Sequence, residues 1–238
     1  VFLTPYFTPS SEIVDALSPI INRFIDKGQP TFSVEKQDTF SFSFSTNDGF
    51  QYSVEPEKTS LVFTHKLRGR AVSGGLPVME MISVPRPYTE LLKDMVERTV
   101  DVTARLPGRS RVVRRVGIVS TTFVDEDAAP PGIQSFLEYM GRPWRGFVEA
   151  HSMQIAAQID DRPDWTDRAI HTLARSDGDE PLLTIMLDFQ RAYKREKVAT
   201  REHLGVVLPE VERAALEYFE DLAVGGRFIE QDCTGDPA

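Results

Sequence analysis

The sequence predicts an α+β fold with a mainly antiparallel sheet of about seven or eight strands covered by long helices, since short turns join antiparallel strands and parallel strands need long crossovers. Three observations predict it. Phe40, Phe42 and Phe44 alternate with Ser41, Ser43 and Ser45, the period of a strand with one apolar face. Asn47-Asp48-Gly49 follows at once and supplies the left-handed positions of a tight hairpin. Runs of strand pattern then give way to helical pattern, and the same order recurs in the second part of the chain. That recurrence suggests two similar halves in shape, without a residue-level repeat.

The first helix is expected over residues 10–27, where Ile13, Leu17, Ile20, Ile21, Phe24 and Ile25 recur at helical spacing. Pro19 removes a donor inside it. Either the helix kinks there, or Ser18 caps a second short helix that opens on Pro19. A meander follows. Its hairpin register places Phe44 opposite Tyr52 and Phe42 opposite Val54, with the aromatic rings on one side. A third strand is expected over 61–67, and residues 31–36 add another at the front. Residues 68–87 are irregular, with strand pattern around 78–84. A helix spans 88–106 through Leu91, Leu92, Met95, Thr99 and Val102, and Pro107-Gly108 ends it.

The second half opens on a long strand over 112–124. Pro130-Pro131 starts a short helix carrying Ile133, Phe136, Leu137 and Met140. Strands are expected at 146–159, 167–175 and 181–193, then a charged loop over 194–205. The last helix, 209–223, takes Pro209 as its first residue and shows Val211, Ala215, Tyr218, Phe219 and Leu222 on one stripe. The whole reads as a single α+β domain over 1–231, with loose halves 1–107 and 108–231, and a flexible tail at 232–238.

Composition narrows the function classes. The chain has 238 residues, 41% of them hydrophobic, and fifteen phenylalanines supply a large core. No stretch reaches the ~18 to 20 uninterrupted apolar residues of a membrane span. Residues 1–9 lack a basic region followed by an apolar run, so no signal peptide is expected there. Cys233 is the single cysteine, which excludes an internal disulfide and points to a reducing cytoplasm. A net charge of −9 argues against bulk nucleic-acid binding.

Catalytic signatures are sparse. Glu149 and His151, His171 and Asp188 lie on three successive strands and invite a metal or acid–base reading. Register opposes it: His171 falls opposite about Ile155, so His151 is four residues further along, roughly 13 Å at ~3.3 Å per residue. Metal ligands must lie within ~2.0 to 2.2 Å of one point. Both histidines therefore read as ordinary sheet residues. His65 shares a strand face with Leu61, Phe63 and Leu67 and reads as a core-edge histidine, and His203 reads as solvated loop. Ser33-Val34-Glu35-Lys36 has the spacing of a Ser-x-x-Lys nucleophile but falls in a strand, where the two side chains point apart. No cofactor motif, phosphate loop or metalloprotease helix is present in the sequence.

Arginine is the local anomaly. Arg105, Arg109, Arg111, Arg114 and Arg115 crowd the junction between the second helix and the long strand. Alternation puts Arg109, Arg111 and Arg115 on one side of that strand and Arg114 on the other with Val112 and Val116. A second basic stretch holds Arg191, Lys194, Arg195, Lys197 and Arg201. Arg68 and Arg70 precede Ser73-Gly74-Gly75, whose backbone donors suit a small anion nest. Arginine forks fit carboxylate or phosphate. The competing reading is a charged strand edge paired with the surplus acids.

Arg114-Arg115-Val116-Gly117-Ile118, together with the terminal segment 211–228, resembles a sporadically distributed bacterial family of unassigned function. The resemblance covers a little more than the second half of the chain. The family's amino-terminal proline/glutamate signature is not evident in this sequence. The resemblance implies a bacterial cytoplasmic protein and assigns no activity and no site residue. The leading expectation is a non-enzymatic interaction or adaptor subunit with a protein partner. The alternatives are a helix-grip domain binding a small apolar ligand, and phosphate or nucleic-acid contact through the arginine-rich strand. No membrane association is expected.

Overall fold

The computed structural model describes residues 2–3, 9–25, 32–65, 67–70, 78–81, 86–107, 112–141, 151–175 and 182–227. The elements in order are β1 (Phe2–Leu3), α1 (Ser10–Ile25), β2 (Phe32–Gln37), β3 (Phe42–Thr46), β4 (Phe50–Glu55), β5 (Lys58–Phe63), β6 (Leu67–Arg70), β7 (Val78–Met81), α2 (Tyr88–Arg105), β8 (Val112–Asp125), α3 (Pro131–Gly141), β9 (His151–Asp161), β10 (Trp165–Arg175), β11 (Leu182–Val198) and α4 (Arg201–Val224). The fold is α+β, and every strand register described is antiparallel. Two compact units are each drawn from two stretches: residues 1–116 with 192–209, and residues 117–191 with 210–238. The chain crosses between them inside β8, β11 and α4, whereas the sequence reading divides the halves at 107/108.

In the first unit β2, β3, β4 and β5 form a four-stranded meander, and the two-residue β1 pairs with both β5 and the start of β8. The hairpin register is the one the sequence requires: Phe42 opposes Val54 and Phe44 opposes Tyr52. The Phe44 and Tyr52 rings stack at 4.6 Å between centroids. Gly49 makes the turn possible. Its φ is 94°, and a Cβ there would lie 3.0 Å from the Phe63 ring. α1 buries Ile13, Leu17, Ile20 and Ile21, and packs on α2, β2 and β3. α1 is one continuous helix with Pro19 inside it. The Ser18 hydroxyl donates back to the Asp15 carbonyl at 2.8 Å instead of capping a second helix. α2 places Leu91, Leu92, Val100 and Val102 in the core and packs on β5. β6 and β7 pair as a separate two-stranded ribbon.

In the second unit the strand order is β8-β11-β10-β9. Its core gathers Ala129, Ile133, Leu173, Leu183 and Ile185, with Val124, Phe136, Leu137, Met153 and Phe219 packed around them. α3 approaches the end of α4 closely: a Cβ on Gly132 would fall 2.3 Å from the Gly225 nitrogen, so only glycine fits. Within the expected α4 stripe Val211, Ala215, Tyr218 and Leu222 are buried, while Phe219 is only partly so.

Two expectations at the carboxy-terminal end are corrected. Residues 194–205 are not a loop: β11 continues to Val198 and α4 begins at Arg201. Thr200 starts that helix, because its hydroxyl accepts from the His203 N–H at 3.1 Å and its carbonyl accepts from Leu204. Leu204, Val207, Leu208 and Val211 then form one buried stripe. Pro209 lies inside the helix, one turn after Gly205, where a Cβ would meet nothing within 4 Å. The helix lacks at Pro209 the N–H that would donate to the Gly205 carbonyl.

Candidate functional site

The arginines singled out in the sequence are dispersed among acids. Arg105 reaches Asp101 at 3.4 Å, one turn back on α2, and Arg201 donates to the same carboxylate at 2.5 Å. Arg114 forks onto Glu196, with its Nε at 2.8 Å and an Nη at 2.7 Å. Arg115 is half-buried and stands opposite Phe2. Arg68 and Arg70 are register partners of Glu80 and Val78 in the ribbon. Arg109, Arg111 and the Ser73–Gly75 nest lie outside the described residues.

The expected alternation at Arg114 is corrected. Phe2 opposes Arg115 while Leu3 opposes Val113, so one step on β1 spans two on β8. Arg114 is the extra residue of a β-bulge. Val113 and Val116, three apart, are therefore both fully buried, and Arg114 is pushed out to Glu196 instead of sharing a side with Val116.

The first unit holds a charged cluster that sequence reading missed. Arg98 on α2 lies over the Phe50 ring at 4.0 Å. Its guanidinium donates to Asp94 at 2.7 Å, to the Tyr52 hydroxyl at 2.9 Å and to Asp48 in the hairpin turn at 2.9 Å. Arg86 adds a second bond to Asp94 at 2.9 Å. Burial acts to raise the Asp94 carboxyl, but the hydrogen bonds from Arg98 and Arg86 outweigh it and hold it below its ordinary value. Burial pushes the Tyr52 phenol up. Desolvation opposes the charge on Arg98, yet its bonds to Asp94 and Tyr52 keep it firmly cationic.

A deeper cluster sits in the second unit. Arg191 is 5% exposed and Asp167 is 3% exposed. They form a two-pronged pair, Nε and Nη each 2.9 Å from a carboxylate oxygen. The other Nη reaches Glu210 on α4 at 2.8 Å, and the guanidinium lies over Trp165 at 3.8 Å. Further along the strand that holds Asp167, His171 is buried, with Nδ1 3.3 Å from the Tyr218 hydroxyl and Nε2 with no hydrogen-bond partner among the described residues. Burial lowers the pKa of His171 and raises that of Tyr218.

The histidine constellation is separated as its register requires: His171 opposes Ile155 and His151 opposes Arg175. Among the described residues no group of three or more His, Cys, Asp or Glu side chains is placed to hold a metal. His65 stands edge-on to Phe63, with centroids 5.0 Å apart. His203 belongs to the first turn of α4 and faces Tyr193 at 5.6 Å, so it is not a loop residue. No helix among the described residues is long and apolar enough to cross a membrane.

Chemically, both missed clusters are arginines that donate to internal carboxylates, and for Arg98 also to the Tyr52 hydroxyl, with an aromatic ring beneath. Asp94-x-x-x-Arg98 was legible as a helical i, i+4 pair. The Asp167–Arg191 pairing joins two strands and leaves no local spacing to read. No family profile, curated protein or solved structure matches this chain.

Proposed function

We propose that the protein is a non-enzymatic interaction subunit, binding a protein partner in a bacterial cytoplasmic complex. The observation that carries this reading is the outer side of β8 in the second unit. Val119 and Phe123 are 60% and 68% exposed, with exposed Thr121 between them. Alternate strand positions share a side, so Val119 and Phe123 flank Thr121 in one uncharged strip. A phenylalanine displayed this openly is what interface centres are enriched in. The charged clusters support the same reading, because Arg98, Arg105, Arg114 and Arg191 already have acidic partners. An incoming phosphate must compete with those carboxylates. The finer architecture belongs to the proposal too: two related halves, sheets covered by α2 and α4, and kinship with the bacterial family of unassigned function.

The test is affinity capture with the wild-type protein, followed by reconstitution of the captured partner with purified components. Val119→Ser/Phe123→Ser weakens the reconstituted complex by about tenfold or more, about 1.4 kcal/mol. Equal binding by both proteins overturns the reading.

A second reading is a small ligand held in the second unit beside α4, the helix-grip alternative. The buried Nε2 of His171 favours it, since a ligand with one hydrogen-bonding group satisfies that atom. Native mass spectrometry of the purified protein checks it through an added mass that is lost in His171→Phe.

A further inference from the structure

Among the described residues β9 is an edge strand, and its stretch from His151 to Gln158 carries no edge protection. It ends the strand order of its sheet, and among the described residues no strand pairs with its outer side. From His151 to Gln158 its register with β10 is unbroken. Over that stretch it carries no lysine, arginine, carboxylate or proline. Natural sheets blunt such edges with charge, proline or bulges, because an open regular edge templates pairing with another chain. β2, at the end of the first unit's meander, shows the ordinary treatment. It contains Glu35 and Lys36 and a register shift between Val34 and Lys36.

We propose that β9 pairs antiparallel with β9 of a second copy of this chain, about a two-fold axis through Ala156. The inference does not depend on the β8 strip. Three features fit a second copy. In this register Gln154 opposes Gln158 of the other chain, twice, and each amide can both donate and accept. Ala156 opposes itself and Ile155 opposes Ala157, so exposed residues meet exposed ones and half-buried residues meet half-buried ones. The regular paired stretch runs from Gln154 to Gln158, because the β9 register shifts at Ile159, and it contains no charged residue. Two molecules of net charge −9 repel overall, and this uncharged stretch brings their backbones together where that repulsion has no local counterpart.

The experiment is sedimentation velocity over a broad dilution series, using the full chain. Wild type shows a concentration-dependent monomer–dimer equilibrium. Gln154→Lys/Gln158→Lys weakens it by about tenfold or more, because like charges directly opposite across a strand pair repel. Gln154→Glu/Gln158→Glu does the same. Mixing the two variants restores a dimer, since each lysine then meets a glutamate. Unchanged circular dichroism and melting of each variant alone show that the monomer fold survives. A wild-type monomer at every concentration overturns the proposal. So does a dimer indifferent to both variants, or one that mixing fails to restore. These outcomes leave the β8 reading standing, and loss of partner capture by Phe123→Ser leaves this dimer intact.

Discussion

In the first unit Arg98 lies over Phe50 and divides its guanidinium among Asp94, Asp48 and Tyr52. In the second, Arg191 lies over Trp165 and divides its own between Asp167 and Glu210. The two assemblies use the same parts at different depths. The Arg98 side chain is 26% exposed and its carboxylates 25% and 43%. The Arg191 side chain is 6% exposed against 4% for the Asp167 side chain. In the shallow cluster water solvates whatever a mutation leaves behind. In the deep one, a lone charge has only protein around it.

The largest expected effect follows from that depth. Arg191→Met strands the Asp167 carboxylate and costs about 3 to 5 kcal/mol in denaturant unfolding. Adding Asp167→Leu recovers most of the loss, because well-packed apolar replacements of a buried pair are often neutral. Arg98→Met is milder, about 1 to 2 kcal/mol, since the chief loss is hydrogen bonding to the buried Tyr52 phenol. Equal costs for the two arginines, measured in the same denaturant, break the comparison.

The same contrast explains what was legible in the sequence. The first unit's hairpin could be read residue by residue because its strands are adjacent in sequence and its turn chemistry is local: Phe44 meets Tyr52 as expected. The β9/β10 register was legible for the same reason, with His171 opposite Ile155. Charge clusters were not. Asp167 and Arg191 are brought together by neighbouring strands whose mutual register no short motif fixes, and Glu210 comes from a helix that the sequence reading began at Pro209. That start was misplaced because proline was read as an opening residue, and the Thr200 cap nine residues earlier was hidden in a charged run. At Arg114 simple alternation failed because a bulge, set by pairing with β1, inserts one residue. Of the candidate arginines, Arg105 and Arg114 pair with Asp101 and Glu196, acids of the chain itself.

His171 sharpens the comparison through pH. It is buried on the same strand as Asp167, and its pKa is depressed from 6.5 by desolvation. Below that value the unfolded chain takes up a proton that the folded ring does not, so stability falls with pH. The contribution is fully present above about 6.5 and is lost as pH drops toward the folded pKa. In His171→Phe, which keeps a ring beside Tyr218, the slope of unfolding free energy over pH 5 to 7 is shallower than in wild type. Identical slopes locate the pH dependence elsewhere.

The smallest effect belongs to the outermost arginine. Arg114 forks onto Glu196 with good geometry, but the two side chains are 59% and 44% exposed. Water screens such a pair, and two long side chains lose rotamer freedom to hold it, so exposed bridges are worth ~0 to 1 kcal/mol. Arg114→Ser therefore shifts the melting temperature little, and moderate salt removes most of what difference there is. The bulge itself should persist in this variant, because buried Val113 and Val116, rather than the arginine, fix the strand on either side of it. A loss comparable to that of Arg191→Met would mean that the bulge depends on the Arg114–Glu196 bond, and that depth does not govern what these arginines contribute. A loss near zero, together with unchanged partner binding, would identify Arg114 as a solvated ion pair and direct the search for contact residues to the uncharged strip at Val119 and Phe123.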